Sequence, residues 1–111
     1  MEFAQELSGD VVIVKLSGRL DSSTAQGAEE NFAEVLASGV LHLAIDMSNL
    51  EYISSAGLRV LLVVARKVQQ ANGRVVLFGV VRNVREVFSI SGFDRIFTIQ
   101  PDLAAAVAAA R

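Results

Sequence analysis

The run Val40-Leu41-His42-Leu43-Ala44-Ile45-Asp46-Met47 is apolar at nearly every position and does not alternate. A strand with one wet face alternates apolar and polar residues. A run like this predicts a third strand over 40–47 that is covered on both faces, as in parallel sheets with helices above and below. Beyond it, Leu58, Leu61, Leu62, Ala65 and Val68 form a helical stripe, with Arg59, Arg66, Lys67 and Gln70 turned to water. Residues 46–58 are therefore expected to hold a strand end, a loop and a helix N-terminus.

The rest of the chain fits around this strand. Phe3 to Leu7 and Val11 to Leu16 are two strand-like runs about Ser8-Gly9-Asp10, which predicts an antiparallel hairpin with the first strand at an edge. Ser17 to Leu20 reads as the exit from the second strand. Asp21 to Thr24 offers helix caps, and Ser23 with Gln26 fits a capping box. Ala25, Ala28, Phe32, Val35 and Leu36 make the first helical stripe, closed by Gly39. After Asn72-Gly73, Arg74 to Val80 is a fourth strand. Val81, Val84, Val87 and Phe88 mark a third helix ending at Ser91-Gly92. Arg95 to Ile99 is a fifth strand, and Pro101 opens a last helix at its first position. The order is ββαβαβαβα. Strand-helix-strand units of this length require parallel pairing, so an α/β fold with a mixed, mostly parallel sheet is expected, helices packed on it.

Composition narrows the function. A chain of 111 residues that is 52% hydrophobic can close one core, so residues 1–111 are read as one domain. A formal net charge of -2 gives no attraction for a polyanion, so nucleic acid is not an expected partner. The chain has no cysteine and a single histidine, which leaves neither thiol chemistry nor a transition-metal donor set. No cofactor is expected. Met1 to Glu6 has no basic, apolar leader pattern, and the longest apolar runs, 60–65 and 103–110, fall far short of about 20 residues. A cytoplasmic protein without membrane contact is expected.

Catalytic constellations are missing. Ser54 or Ser55 could act as a nucleophile only with a base, and the sole imidazole, His42, lies in the apolar strand and is read as a satisfied core or edge residue. No Gly-x-Ser-x-Gly elbow and no glycine-rich phosphate loop occurs. Asp46 lies where doubly wound folds place ligands. A lone aspartate there is better read as a loop-ordering acceptor than as a catalytic group. No catalytic residue is assigned. One of the two serines reads as the N-cap of the helix that carries Leu58. The same helix end offers open N–H groups and a positive dipole end, so a phosphate on a serine there would be stabilised, and Ala56 and Gly57 keep the bulk low, so another protein's backbone or active site is expected to approach closely.

Residues 46–58, Asp-Met-Ser-Asn-Leu-Glu-Tyr-Ile-Ser-Ser-Ala-Gly-Leu, closely resemble the signature of the STAS domain, and in particular that of bacterial anti-sigma factor antagonists. Leu16-Ser17-Gly18-Arg19-Leu20-Asp21 resembles the family's Leu-x-Gly-x-Leu-Asp, and Val84 to Phe93 resembles its third helix and exit. Three motifs in order over nearly the whole chain make the likeness specific.

The resemblance implies a function. An unphosphorylated antagonist binds an anti-sigma factor, itself a serine kinase of the histidine-kinase-like ATPase fold, and so frees a sigma factor. Phosphorylation of one serine ends the binding, and a PP2C-type phosphatase restores it. The matching serine is Ser55. Family members commonly carry Asp where this chain has Ser54, so Ser54 competes as phosphoacceptor. The partner-binding surface implied comprises Asp21, Ser22, Ser23, Ser48, Ser54, Ser55, Ala56, Gly57 and Arg59. Asp21 to Ser23 are expected on the same sheet edge as Ser48 and Ser54. Two other readings stand beside this one: a STAS scaffold without a phospho-switch, in which Ser55 is merely a cap, and an enzyme or nucleotide binder near Asp46 and Asp21.

Overall fold

In a computed structural model describing residues 1–111, ten elements follow one another. They are β1 (Glu2–Ser8), β2 (Val11–Leu20), α1 (Ala25–Ala37), β3 (His42–Ile53), α2 (Ser55–Gln70), β4 (Arg74–Phe78), α3 (Arg82–Ser91), a 3-10 turn (Phe93–Arg95), β5 (Thr98–Gln100) and α4 (Leu103–Ala110). The five strands make one sheet in sequence order, β1-β2-β3-β4-β5. β1 is antiparallel to β2, and every other pair is parallel. The expected order and pairing are both present, with β1 at an edge.

The non-alternating third strand has its expected cause. Leu43, Ile45 and Met47 enter the larger core with α1, α2 and α3, while Ala44 faces the other way into a smaller core with Val11, Ile13, Val76, Phe78, Ala106 and Ala110. That second layer is α4, whose alanines leave little bulk between helix and sheet. His42 is half-buried, and its Nδ1 lies 2.7 Å from the Ala110 carbonyl oxygen. A carbonyl only accepts, so this bond needs the Nδ1-protonated tautomer and satisfies one of the orphan carbonyls at the end of α4. Phe3 meets Phe32 edge to face at 5.0 Å between ring centroids and ties β1 to α1.

The strands run further than the sequence pattern indicates. β2 does not exit at Ser17 and β3 does not end at Met47. The two continue side by side, pairing Ser17 with Asn49, Gly18 with Leu50, Arg19 with Tyr52 and Leu20 with Ile53. Two register shifts interrupt the ladder, between Lys15 and Ser17 and between Gly18 and Arg19. Gly18 takes φ 94°, which a side chain would resist, and the strand resumes beyond it. The irregularity sets the buried residues of β3 three apart, at Met47, Leu50 and Ile53, and so hides the period of two.

Four further boundaries differ. The Ser23–Gln26 capping box does not form; α1 begins at Ala25 with Thr24 before it. β4 stops at Phe78, as Val80 and Val81 lead into α3. Gly92, left-handed at φ 80°, ends α3 and starts the 3-10 turn, which shortens β5 to Thr98–Gln100. Pro101 lies outside α4, because Asp102 takes the cap: its side chain accepts from Ala105 N at 2.9 Å.

Candidate functional site

β3 ends on buried Ile53, and the chain turns within one residue into α2. Ser54 makes that turn in an extended conformation, φ -97° and ψ 175°. Its backbone N–H donates to the Leu20 carbonyl at 2.9 Å, its carbonyl accepts from Leu58 N at 2.9 Å, and its Oγ accepts from Gly57 N at 3.3 Å. Ser54 is therefore the N-cap, half-buried and committed on every side. Ser55, the first helical residue, is exposed, and its hydroxyl bonds nothing in the chain. With Gly57 N taken by the cap, the N–H groups of Ser55 and Ala56 stay open at the positive end of a 16-residue helix. The first turn of α2 holds no acidic residue, and exposed Arg59 follows Ser55 by four positions on the same face.

The contact between Ser54 and Leu20 brings a second junction beside the first. Asp21 follows Leu20 directly, and its Oδ1 accepts from Ser23 N at 2.9 Å and Ser23 Oγ at 2.6 Å. Thr24 Oγ1 closes the loop, donating to the Arg19 carbonyl at 2.9 Å and accepting from Asp21 N at 3.0 Å. The Ser23 hydroxyl, then the Ser23 backbone N–H, hold the Asp21 carboxyl below its ordinary pKa, with a smaller effect from Arg19. Asp21 is both the turn's organiser and an anionic group at the rim.

Gly57 differs from its expected use. It is buried, and a Cβ there would stand 2.6 Å from the Leu20 carbonyl oxygen and 2.8 Å from Leu20 Cγ. Its small size lets α2 seat against β2; it does not open a path for another protein. Ser48 also differs. Because β3 continues to Ile53, Ser48 lies six residues before Ser54, inside the strand and not at its end beside α2. There it makes its own turn, donating its backbone N–H at 2.9 Å and its Oγ at 2.6 Å to Asp46 Oδ1. Asp46 is thus the local hydrogen-bond acceptor that its position suggested, while Ser48 is not gathered with Ser54.

A model of the STAS domain matches residues 3–106. The chain belongs to the STAS-domain family. Among proteins similar to this STAS domain is BtrV of Bordetella bronchiseptica, named as an anti-sigma factor antagonist. It is 38% identical over 109 residues, which are 98% of this chain and 94% of that protein. The anti-sigma-F factor antagonist RsfB of Mycobacterium tuberculosis is 33% identical over 92 residues, 80% of this chain and 72% of its own. The crystal structure of an anti-sigma factor antagonist from Mycobacterium paratuberculosis superposes with a TM-score of 0.86 at 31% identity, covering 99% of this chain and 93% of that one.

In this STAS domain the structure gathers Asp21, Ser22, Ser23, Ser54, Ser55, Ala56 and Arg59 about two touching junctions. Ser22, Ser23, Ser55 and Arg59 are exposed; Asp21, Ser54 and Ala56 are half-buried. Sequence reasoning passed over two residues of the same rim. The Arg19 guanidinium lies over the Tyr52 ring, 4.3 Å from its centroid, and its Nε is 3.7 Å from Asp21 Oδ2. Nothing in the linear pattern links Arg19 to Tyr52. They meet because the register shift pairs them across β2 and β3.

Proposed function

We propose that this STAS domain is an anti-sigma factor antagonist that works by binding and not by catalysis. Its unphosphorylated form holds an anti-sigma factor and so frees a sigma factor. The family, and the names of relatives that match along most of their length, support the antagonist role. The observation that carries the switch is the inequality of the two serines: Ser54 is consumed as the cap, while Ser55 stands exposed with a free hydroxyl.

The anti-sigma factor in this reading is a serine kinase of the histidine-kinase-like ATPase fold. Ser55 Oγ attacks the γ-phosphorus of ATP, ADP leaves, and the hydroxyl proton passes to a base of the kinase. The product carries about -1.5 to -2 of added charge. The open N–H groups at the start of α2 stabilise it in the free domain. In a closed interface the same charge lacks water and a partner, which costs several kcal/mol. About 2.7 kcal/mol already weakens binding a hundredfold, so release needs no refolding. A PP2C-type phosphatase returns the hydroxyl, and the exchange belongs to the cytoplasm. Ser54 remains the second phosphoacceptor, disfavoured because modification would remove the cap.

The test is direct. Phosphate transferred by the kinase is expected on Ser55 in a peptide map. Ser55→Asp is expected to bind the anti-sigma factor about a hundredfold more weakly, while Ser55→Ala stays bound. Binding of Ser55→Asp at wild-type strength would sink the switch.

A further inference from the structure

We propose that Arg19 is a specificity-determining residue of this interface, taking a carboxylate of the anti-sigma factor, and that Tyr52 is its positioning residue. The proposal rests on the antagonist reading above. Leu20 and Ile53 are buried in the core, while the residues just before them, Arg19 and Tyr52, pair across β2 and β3 and stay in contact with solvent. The Arg19 side chain is 60% exposed and Tyr52 is 38% exposed. Ser55 lies three positions after Tyr52, so their Cα atoms are within roughly 11 Å at the chain's maximum reach. A patch of standard interface size covers both.

The chemistry selects the group that is recognised. The guanidinium is stacked on one face by the Tyr52 ring, which restricts its rotation. Its Nε meets Asp21 only at 3.7 Å, beyond hydrogen-bond reach, so the planar fork keeps its donors unspent. A pre-positioned fork with open donors fits a carboxylate bidentately, and little side-chain entropy is lost on binding. Exposed arginine and tyrosine are also the residue types over-represented among interface hot spots. Asp21 next to it repels a badly placed carboxylate, which adds discrimination against partners of the wrong register.

The experiment uses the full chain and the anti-sigma factor that the wild type binds. It measures the Kd and the steady-state phosphorylation of Ser55. Arg19→Ala is expected to weaken binding at least about tenfold and to raise KM by a similar factor, with kcat within about twofold. Arg19→Lys, which keeps the charge and loses the fork, is expected to lose most of that factor. Tyr52→Leu should cost about three- to tenfold. Added to Arg19→Ala it should cost nothing more, because the ring acts through the guanidinium. Should Arg19→Ala fail to fold, Arg19→Gln keeps the stem and carries the same expectation. Unchanged Kd and KM in folded Arg19 variants would overturn the proposal and leave the pair as a cross-strand brace, with the antagonist reading intact. A wild-type chain that binds no anti-sigma factor would overturn both.

Discussion

Two strand-to-helix junctions meet at one rim of this domain, and they spend similar residues differently. Between β2 and α1, Asp21-Ser22-Ser23-Thr24 closes on itself: Ser23 turns to Asp21, Thr24 turns to Arg19 and Asp21, and no side chain caps α1. Between β3 and α2, a single residue makes the turn, and Ser54 caps the helix. The first junction spends the Ser23 and Thr24 hydroxyls on its own turn and leaves that of exposed Ser22 unbonded. The second uses one and leaves the next, Ser55, free. A hydroxyl-rich stretch is thus not a functional signal by itself. What distinguishes Ser55 from the equally unbonded Ser22 is its place as the first residue of a long helix that its neighbour Ser54 already caps.

The contrast can be broken most forcefully where the junctions touch. Gly57→Ala is expected to destabilise the domain by about 3 kcal/mol, because the added methyl meets a backbone carbonyl that cannot move without shifting β2. Urea unfolding measures this, and a loss under 1 kcal/mol would mean the two junctions are not tightly seated. Gly79→Ala offers a milder comparison in the Asp46–Ser48 region. There the added Cβ would lie 3.0 Å from Ser48 Cβ, at φ 67°, and a cost of about 1 to 2 kcal/mol is expected.

Caps give the next effect in size. Ser54→Ala should cost about 1 kcal/mol in the same assay, whereas Ser55→Ala should stay within about 0.5 kcal/mol. Equal losses would erase the distinction between the two serines. The smallest effect is electrostatic. The Asp21 carboxyl titrates lower in the folded chain than in the unfolded one, so its contribution is fully present above its unfolded pKa and is lost as pH falls through the folded value. Asp21→Asn should therefore be less stable than wild type at pH 7, and the gap should shrink below about pH 4. A gap that held constant to pH 3 would show that the Asp21 turn does not depend on the charge.

Much of the architecture was legible because it rests on local pattern. The 3.6-residue stripes of α1, α2 and α3 and the doubly covered run in β3 each follow from which residues must leave water, and the element order then implies parallel pairing. The family motifs likewise marked Ser55 and Asp21 by position in the chain. Less legible were places where two local signals competed. Asp102 outdid Pro101 at the start of α4, and Ser23 preferred Asp21 to a capping box. In both, a carboxylate beside open N–H and O–H donors makes the stronger bond.

By itself the sequence determined the fold class and the succession of elements, since apolar periodicity and turn chemistry act over a few residues. Only the tertiary structure decided which serine is spent and which is free, that Gly57 serves packing, that Ser48 stands apart from Ser54, and that Arg19 lies on Tyr52. Each depends on a register shift or a contact between β2 and residues more than thirty positions away. Such contacts have no local signature, because they exist only once the two strands pair and the sheet carries their ends to a common rim.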